Sequence, residues 1–355
     1  MKGLKSKTYK QNDRTFMKIL GIIIRLIPVV LIIWFIWAQS NLLLIRKFTY
    51  NIEELPKAFV GYNIMHISDI CNTKLNVVNK VRKANPDIIL VSGGYGNANG
   101  DYNKTAKIVE KLTNIAPVYY IYNTKDNGSE LNNTGAINIT DSVIDVKPNI
   151  KDVNTFIKDN YGKAIIKKAN KGDKGSLEYI DYIKKELEKS QNSTIKIAGL
   201  NLYETDKDAA KLQTLNLIGI ETSDITLLLN GNIDNLDTIC ETHVDIVLFG
   251  DTFGKDTLDN RYKKGNYGNH GTKLFVSGGI GKPKEFKRIL NFPEIQLITL
   301  SDGTVKVKNP LEELISKIIP DVGTIYDNDG GFHDYVIEYG LEQYYEDYGK
   351  INWYK

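Results

Sequence analysis

The sequence YNIMHISDIC (residues 62–71) carries the pattern that decides the fold, an apolar run that ends in small and acidic residues. Two later stretches repeat it, PDIILVSGG (86–94) and VDIVLFGD (244–251). Continuous apolar runs of this length are typical of strands covered on both faces. Such strands need other elements packed on each side, so the pattern predicts an α/β fold around a buried sheet.

The rest of the chain alternates β-rich runs with amphipathic stretches, as an α/β fold requires. Predicted strands are Tyr62–Ser68, Asp87–Ser92, Val118–Tyr122, Ile195–Leu200, Asp224–Leu229, Val244–Gly250, Lys273–Ser277 and Ile295–Leu300. Predicted helices are Lys74–Ala84, Asn103–Asn114 and Ile233–Thr242. Residues 151–192 interrupt this order because they are rich in lysine, and we predict an inserted surface excursion with a helix from Ser176 to about Ser190.

The N-terminus has the pattern of a membrane anchor. Residues 1–18 contain six Lys or Arg residues and one acid, Asp13, and the apolar stretch Ile19–Ala38 that follows has one charge, Arg25. A helix of this length crosses the ~30 Å hydrocarbon core of a bilayer. We predict a transmembrane anchor over 19–45, with the basic segment 1–18 in the cytoplasm and the rest of this single-pass cell-membrane protein extracytoplasmic. The alternative is a cleaved signal peptide ending near Ala38-Gln39-Ser40.

The other terminal segments and the composition limit the possible function. Residues 46–60 are predicted to be a linker, and 309–355 a C-terminal extension with a short helix and a tyrosine-rich tail that docks on its own domain or on a partner. The net charge of +3, without a basic block, argues against a nucleic-acid partner. Two cysteines, Cys71 and Cys240, do not make a disulfide framework or a zinc cluster.

In open α/β folds ligands bind at the carboxyl ends of the strands, so the residues after each run matter most. In order they are ISDIC (67–71), SGG (92–94), NTKD (123–126), N (230), GDTFG (250–254), and the terminal signatures VSGGIG (276–281) and PEIQLITL (293–300). This order resembles the calcineurin-like metallophosphoesterases, and most closely their bacterial branch with an N-terminal membrane or export segment. The resemblance covers roughly residues 55–301 without 151–192. It implies a two-sheet α/β/β/α sandwich over 61–308.

The same resemblance implies seven metal-binding positions and a leaving-group histidine position. The metal positions correspond to Asp69, Cys71, Gly94, Thr124, Asn230, Asp251 and Phe253, of which only Asp69 keeps the residue type of the family. Gly94 stands where that family has the carboxylate bridging the two metals. Lys125 stands where it has the leaving-group histidine, and the following Asp126 is retained.

Two-metal hydrolysis clamps the attacking and departing oxygens between cations about 3.5–4 Å apart. Without the bridge, and with the cation of Lys125 near that place, two divalent ions would repel each other unscreened. We therefore expect no metal cofactor and no catalysis. The hypothesis is a pseudoenzyme that serves as a binding or scaffold module for a small ligand or a protein at the membrane.

The alternative is an active phosphoric ester hydrolase, a phosphoesterase or phosphodiesterase with an altered metal site. In that case Asp69, Cys71, Asn230 and Asp251 would converge on a divalent ion such as Mg²⁺ or Ca²⁺.

The remaining candidates have simpler interpretations. His66 lies inside the first predicted strand, and a core histidine with satisfied hydrogen bonds is favoured there over a metal ligand. His243, His270 and His333 have no visible partners in the sequence. The glycine clusters at 92–96 and 278–282 lack the spacing of nucleotide-binding loops and are predicted to be tight turns, whose backbone amides can still hold an anion.

Overall fold

A computed structural model describes residues 2–71, 73–95, 102–122, 129–150, 152–200, 207–219, 225–231, 236–242, 244–250, 264–269, 271–281 and 292–303. Within these ranges the side chains at 2–15, 36, 39, 40, 207, 208 and 210 are not described. The C-terminal extension predicted over 309–355 lies outside the described residues.

Helices and strands alternate along most of the described chain. The helices are α1 (Lys2–Asn41), α2 (Val77–Ala84), α3 (Asn103–Thr113), α4 (Val153–Tyr161), α5 (Lys163–Ala169), α6 (Lys174–Ser190), α7 (Lys207–Ile218) and α8 (Leu236–Cys240). The strands are β1 (Leu44–Asn51), β2 (Asn63–Ser68), β3 (Ile88–Ser92), β4 (Val118–Ile121), β5 (Ile137–Asn138), β6 (Ser142–Val146), β7 (Ile195–Leu200), β8 (Thr226–Asn230), β9 (Ile246–Phe249), β10 (Gly265–Asn269), β11 (Thr272–Val276) and β12 (Glu294–Ser301). Short 3₁₀ helices cover Lys57–Phe59 and Ser129–Asn133.

Among the described residues these strands form two six-stranded sheets. Sheet one has the order β1-β12-β2-β3-β4-β5, and sheet two has the order β10-β11-β9-β8-β7-β6. In sheet one β2, β3, β4 and β5 run parallel, and β12 lies antiparallel to β2. In sheet two β7, β8, β9 and β11 run parallel. Each sheet therefore has one edge at which the carboxyl ends of several strands meet.

Side chains alternate along each strand between two apolar layers, since successive residues point to opposite faces of a sheet. From β3, Ile88 and Leu90 pack in the layer between the two sheets. Ile89 and Val91 pack instead against α2 and α3. Sheet two behaves in the same way: Leu227 and Leu229 face sheet one, and Leu228 packs with α8. The layers follow the order helix, sheet, sheet, helix, which confirms the two-sheet sandwich predicted from the apolar runs.

The predicted linker over 46–60 is wrong in its first part, because Leu44–Asn51 forms strand β1 and pairs in parallel with β12. The sequence analysis missed this strand because Arg46 and Lys47 interrupt its apolar pattern. Charged residues are common on edge strands, where one side of the backbone has no neighbouring strand. The predicted anchor over 19–45 must end earlier for the same reason, since α1 stops at Asn41. Strands β5, β6 and β10 were also missed.

Helix α1 contains an apolar window, Phe16–Phe35, with a mean hydropathy of 2.5 and no residue buried within the protein. By length and composition this helix can cross a membrane. Leu26 to Ile33 expose half or more of each apolar side chain, as a lipid-facing helix would.

The insertion over 151–192 folds into α4, α5 and α6, and α6 begins at Lys174, two residues before the predicted start. Ile157, Ile183 and Leu187 pack on Ala58 in the 3₁₀ helix that follows β1. The insertion and the amino ends of β2 and β3 line an open groove of about 1230 Å³, which includes Tyr62, Asp87 and Tyr179. The insertion therefore covers the end of the domain opposite the carboxyl ends of the parallel strands.

Strand β1 should contribute to stability through Phe48, whose ring lies 5.1 Å from the ring of Phe275 in sheet two. Replacing Phe48 with Ala should lower the free energy of unfolding by about 2 kcal/mol, below the ~3–5 kcal/mol of a fully buried Phe because Phe48 is half-buried. Urea denaturation of the full chain measures this. The control is Leu177→Ala in α6, where the side chain is 44% exposed and the loss should be much smaller. Equal losses at both positions would contradict a structural role for β1.

Candidate functional site

The carboxyl end of β2 carries Asp69, the first of the residues singled out by sequence. Asp69 is fully buried and has a positive φ of 54°, a conformation that Asp tolerates better than most residues. Its backbone N–H donates to Gly93 O at 3.2 Å, and Oδ2 accepts a hydrogen bond from Ser68 Oγ at 3.0 Å. The next turn is fixed by the N–H of Cys71, which donates to Gly94 O at 2.9 Å. Asp69 is thus held tightly against the turn that follows β3.

Three glycines enclose this residue. A Cβ on Gly94 would lie 2.6 Å from both Cα and Oδ1 of Asp69, and a Cβ on Gly279 would lie 2.0 Å from Oδ2. A Cβ on Gly281 would lie 2.4 Å from Asp69 O and from Cys71 O. Gly94 and Gly279 also have positive φ values, 67° and 64°. Since real Cβ contacts do not fall below about 3 Å, these backbones touch the aspartate directly and glycine is required at each place.

Beside Asp69, the two sheets are joined by buried hydroxyl and glycine contacts. Ser68 Oγ at the end of β2 lies 2.8 Å from Ser277 Oγ, just past β11, and since the Ser68 proton goes to Asp69, the Ser277 hydroxyl is the donor of this pair. Ser277 Oγ also accepts the N–H of Gly279 at 3.1 Å. A Cβ on Gly250, which follows β9, would lie 2.4 Å from Ser92 Oγ. The carboxyl ends of sheet one and sheet two therefore meet at the same place.

His66 is a satisfied core histidine, as the sequence predicted. Gln296 Nε2 donates to Val276 O, so Gln296 Oε1 faces His66 Nδ1 at 3.0 Å. An amide oxygen only accepts, so Nδ1 carries the proton and Nε2 accepts from Ser92 Oγ at 2.7 Å. Burial lowers the pKa of His66 to about 4, partly offset by the hydrogen bond to Gln296. The Ser92–His66 pair has the geometry of a nucleophile and base, but both residues are fully buried.

A buried ion cluster was missed by sequence reasoning. Glu294, the first residue of β12, is fully buried; its Oε2 lies 3.0 Å from Arg46 Nε and 3.4 Å from Lys264 Nζ. Its Oε1 accepts the N–H of Gly278 at 3.2 Å. The sequence singled out the stretch around Glu294 but offered no signal for these partners, since Arg46 is 248 positions away.

Of the seven predicted metal positions, the structure describes four. Asp69, Cys71 and Gly94 come together after β2 and β3, and Asn230 is the buried last residue of β8 at the same edge. Thr124, Asp251 and Phe253 lie outside the described residues, as do Lys125, Asp126, His243, His270 and His333. Within the described ranges, no group of three His, Cys, Asp or Glu residues could hold a metal ion.

The described residues do not fit a pair of bridged cations. The bridge needs a side chain at position 94, and the backbone there is already in van der Waals contact with Asp69. The carboxylate of Asp69 is itself covered by Gly279 and accepts from Ser68. A cation at Asp69 would therefore have to displace backbone atoms and not merely water.

No model of a known protein family matches this chain, and no curated protein matches it. Among solved structures it is similar to the crystal structure of TT1561 of Thermus thermophilus, with a TM-score of 0.36 and 11% sequence identity. That similarity covers 62% of this chain and 90% of the other. A likeness of this size concerns the fold alone, so the site is interpreted from its own geometry.

The glycine at position 94 should tolerate no side chain. Replacing Gly94 with Ala should lower the free energy of unfolding by about 2–5 kcal/mol, because it adds an overlap with Asp69 to the ~1–2 kcal/mol of a positive φ. Gly172→Ala is the matched control, since Gly172 has a φ of 82° and nothing within 4 Å of its Cβ position. Chemical denaturation compares the two variants. A Gly94 variant no less stable than the Gly172 variant would show that position 94 is open.

His66 should make stability depend on pH. Its folded pKa of about 4 lies below the ordinary value of 6.5, so between these values the unfolded chain binds a proton that the folded chain does not. Stability should therefore fall as the pH drops from about 6.5 towards 4, by about 3 kcal/mol in full. In the variant His66→Gln the slope of unfolding free energy against pH should flatten across this window. A slope unchanged by His66→Gln would contradict the assignment.

Proposed function

We propose that this chain is a membrane-anchored relative of the calcineurin-like metallophosphoesterases. Its two-sheet domain binds a small ligand or serves as a scaffold for a protein, and it does not hydrolyse phosphoric esters. The order of motifs after the strands supports the relationship. The observation that carries the loss of hydrolysis is the contact between Gly94 and Asp69. A Cβ at position 94 would lie 2.6 Å from Oδ1 of the aspartate, so the place of a bridging carboxylate is taken up by packed backbone.

Electrostatics supports the same conclusion. Two divalent ions about 3.5–4 Å apart repel each other strongly unless a shared anion lies between them. Among the described residues at this edge, Asp69 is the acidic residue in a position that the resemblance assigns to a metal ligand. Its carboxylate already accepts a hydrogen bond from Ser68. One enclosed carboxylate leaves two such cations without the several further ligands that each of them needs.

Helix α1 supports the anchoring part of the proposal. No residue of its apolar window is buried within the protein, and a lipid environment would cover the exposed apolar side chains. The excess of Lys and Arg before residue 19 favours a cytoplasmic N-terminus. The two-sheet domain then lies outside the cytoplasm, and its partner is a small ligand or a protein found there.

The competing candidate is a phosphoric ester hydrolase with an altered metal site. The presence of Asp69 after β2, in the position that the resemblance assigns to a metal ligand, is the observation that favours it. Both candidates use the same edge of the domain. They differ in whether a divalent ion binds there.

Titration of the full chain in nanodiscs with Mn²⁺, Mg²⁺ and Zn²⁺ tests the proposal. A bound metal would raise the free energy of unfolding by about 2.7 kcal/mol at one hundred times its Kd. We expect that metal binding at Asp69 does not raise the free energy of unfolding of the chain. We also expect no metal-dependent hydrolysis of bis(p-nitrophenyl) phosphate. The variant Asp69→Asn, which keeps tolerance of the positive φ, should respond to metals just as the wild type does. The control variant Asp181→Asn changes an exposed carboxylate in α6.

Metal-dependent turnover that Asp69→Asn removes and Asp181→Asn keeps would overturn the proposal in favour of the hydrolase. Stabilisation by Mn²⁺ that is lost in Asp69→Asn would do so as well. If the full chain does not stay bound to the lipid of the nanodiscs, the membrane anchor is contradicted.

A further inference from the structure

The junction between α1 and the domain is short and packed. Helix α1 ends at Asn41 and strand β1 begins at Leu44, which leaves two residues between them. Backbone hydrogen bonds join Leu42 N to Ala38 O and Leu44 N to Pro293 O, each at 2.8 Å. Ala38 is 1% exposed and Leu43 is 3% exposed, and Leu43 belongs to the apolar cluster between sheet one and its helices. The anchor therefore continues into the domain without a loose tether.

The last turns of the apolar helix also contact the domain. The ring of Phe35, the final residue of the apolar window, meets the ring of Phe292 edge to face with centroids 5.9 Å apart. Phe292 comes two residues before β12. A contact so close to the end of the window places the start of β12 next to the boundary of the lipid-facing helix.

The same turns of α1 have a second, exposed face. Trp34 is 56% exposed and Trp37 is 59% exposed. Tryptophans at the ends of membrane helices favour the level of the lipid headgroups. Because Phe35 and Ala38 of the same turns pack on the domain, the packed surface around Phe292 lies at that level too.

From Phe292 the contacts lead directly to the candidate site. Glu294 N donates to Gly279 O at 3.1 Å, and Gly279 packs on the carboxylate of Asp69. Ile280 N donates to Ser68 O at 3.1 Å, which completes the turn around the end of β2. The insertion helices lie at the opposite end of the strands, next to Ala58.

We propose that the edge of the domain bearing Asp69 and the glycine turns faces the bilayer, with phospholipid headgroups as its contact surface. The insertion then points away from the membrane. This inference rests on the membrane anchor of the proposed function. It implies that a ligand of this edge is taken from the membrane–water interface, where the exposed Lys74 meets the phosphates of lipids.

Fluorescence quenching measures the orientation. The full chain, reconstituted in vesicles of phosphatidylcholine and phosphatidylglycerol, is labelled with bimane at one introduced cysteine, Lys74→Cys, Lys83→Cys or Glu178→Cys. All three positions are exposed, and the native Cys71 and Cys240 are buried, so the unsubstituted chain gives the labelling background. A lipid carrying a nitroxide on its headgroup is the quencher. Lys74 precedes α2 and Lys83 lies in its last turn, so the helix carries Lys83 about 9 Å further from the edge.

Quenching should be strongest at Lys74, weaker at Lys83 and absent at Glu178 in the insertion. Equal quenching at the three positions, or the reverse order, in protein that floats with the vesicles would overturn the inference while leaving the anchor intact. Protein that does not float would overturn the anchor and this inference together.

A second variant tests the contact that fixes the orientation. Phe292→Ala removes the ring that meets Phe35, so the difference in quenching between Lys74 and Glu178 should shrink. Leu42→Ala is the control, since Leu42 lies at the same junction but is 40% exposed. A gradient unaffected by Phe292→Ala would show that this contact does not hold the domain in place.

Discussion

The contact between the carboxylate of Asp69 and the backbones of Gly94 and Gly279 determines how closely the carboxyl ends of the two sheets approach each other. Gly94 follows a strand of sheet one and Gly279 follows a strand of sheet two, so the aspartate lies where the two sheets converge. Side chains at these glycines would push the turns apart. The carboxyl ends of the two sheets are therefore tightly packed around the aspartate.

A second constraint comes from the order of strands in sheet one. The strand that continues from the anchor helix, β1, pairs with the last described strand, β12. The buried carboxylate of Glu294 draws Arg46 and Lys264 to the same end of this pair. A buried carboxylate needs such partners because removal from water is costly. Helix α1, strands β1 and β12 and the turns around Asp69 thus form one continuous packed region.

The sequence predicted the layered fold well because buried strands leave long apolar runs such as Ile88–Ser92. It failed at β1, where Arg46 and Lys47 look like linker residues because the strand has an open edge. The substituted metal positions could be named from motif order, and Gly94 proved to be packed. The partners of Glu294 and the enclosure of Asp69 depend on residues far apart in sequence, which local patterns do not reveal. Asp251, Phe253 and Lys125 stay predictions.

The pairing of β1 with β12 also dictates when the domain can be completed during synthesis. Leu44 pairs with Glu294, so the first strand to leave the ribosome must wait for nearly all the remaining domain before its neighbour exists. Closing so long a loop carries a large entropic cost and makes folding slow. Meanwhile α1 is already able to enter the bilayer. The emerging chain therefore carries an unpaired strand directly after α1 until β12, the last described strand, has been synthesised.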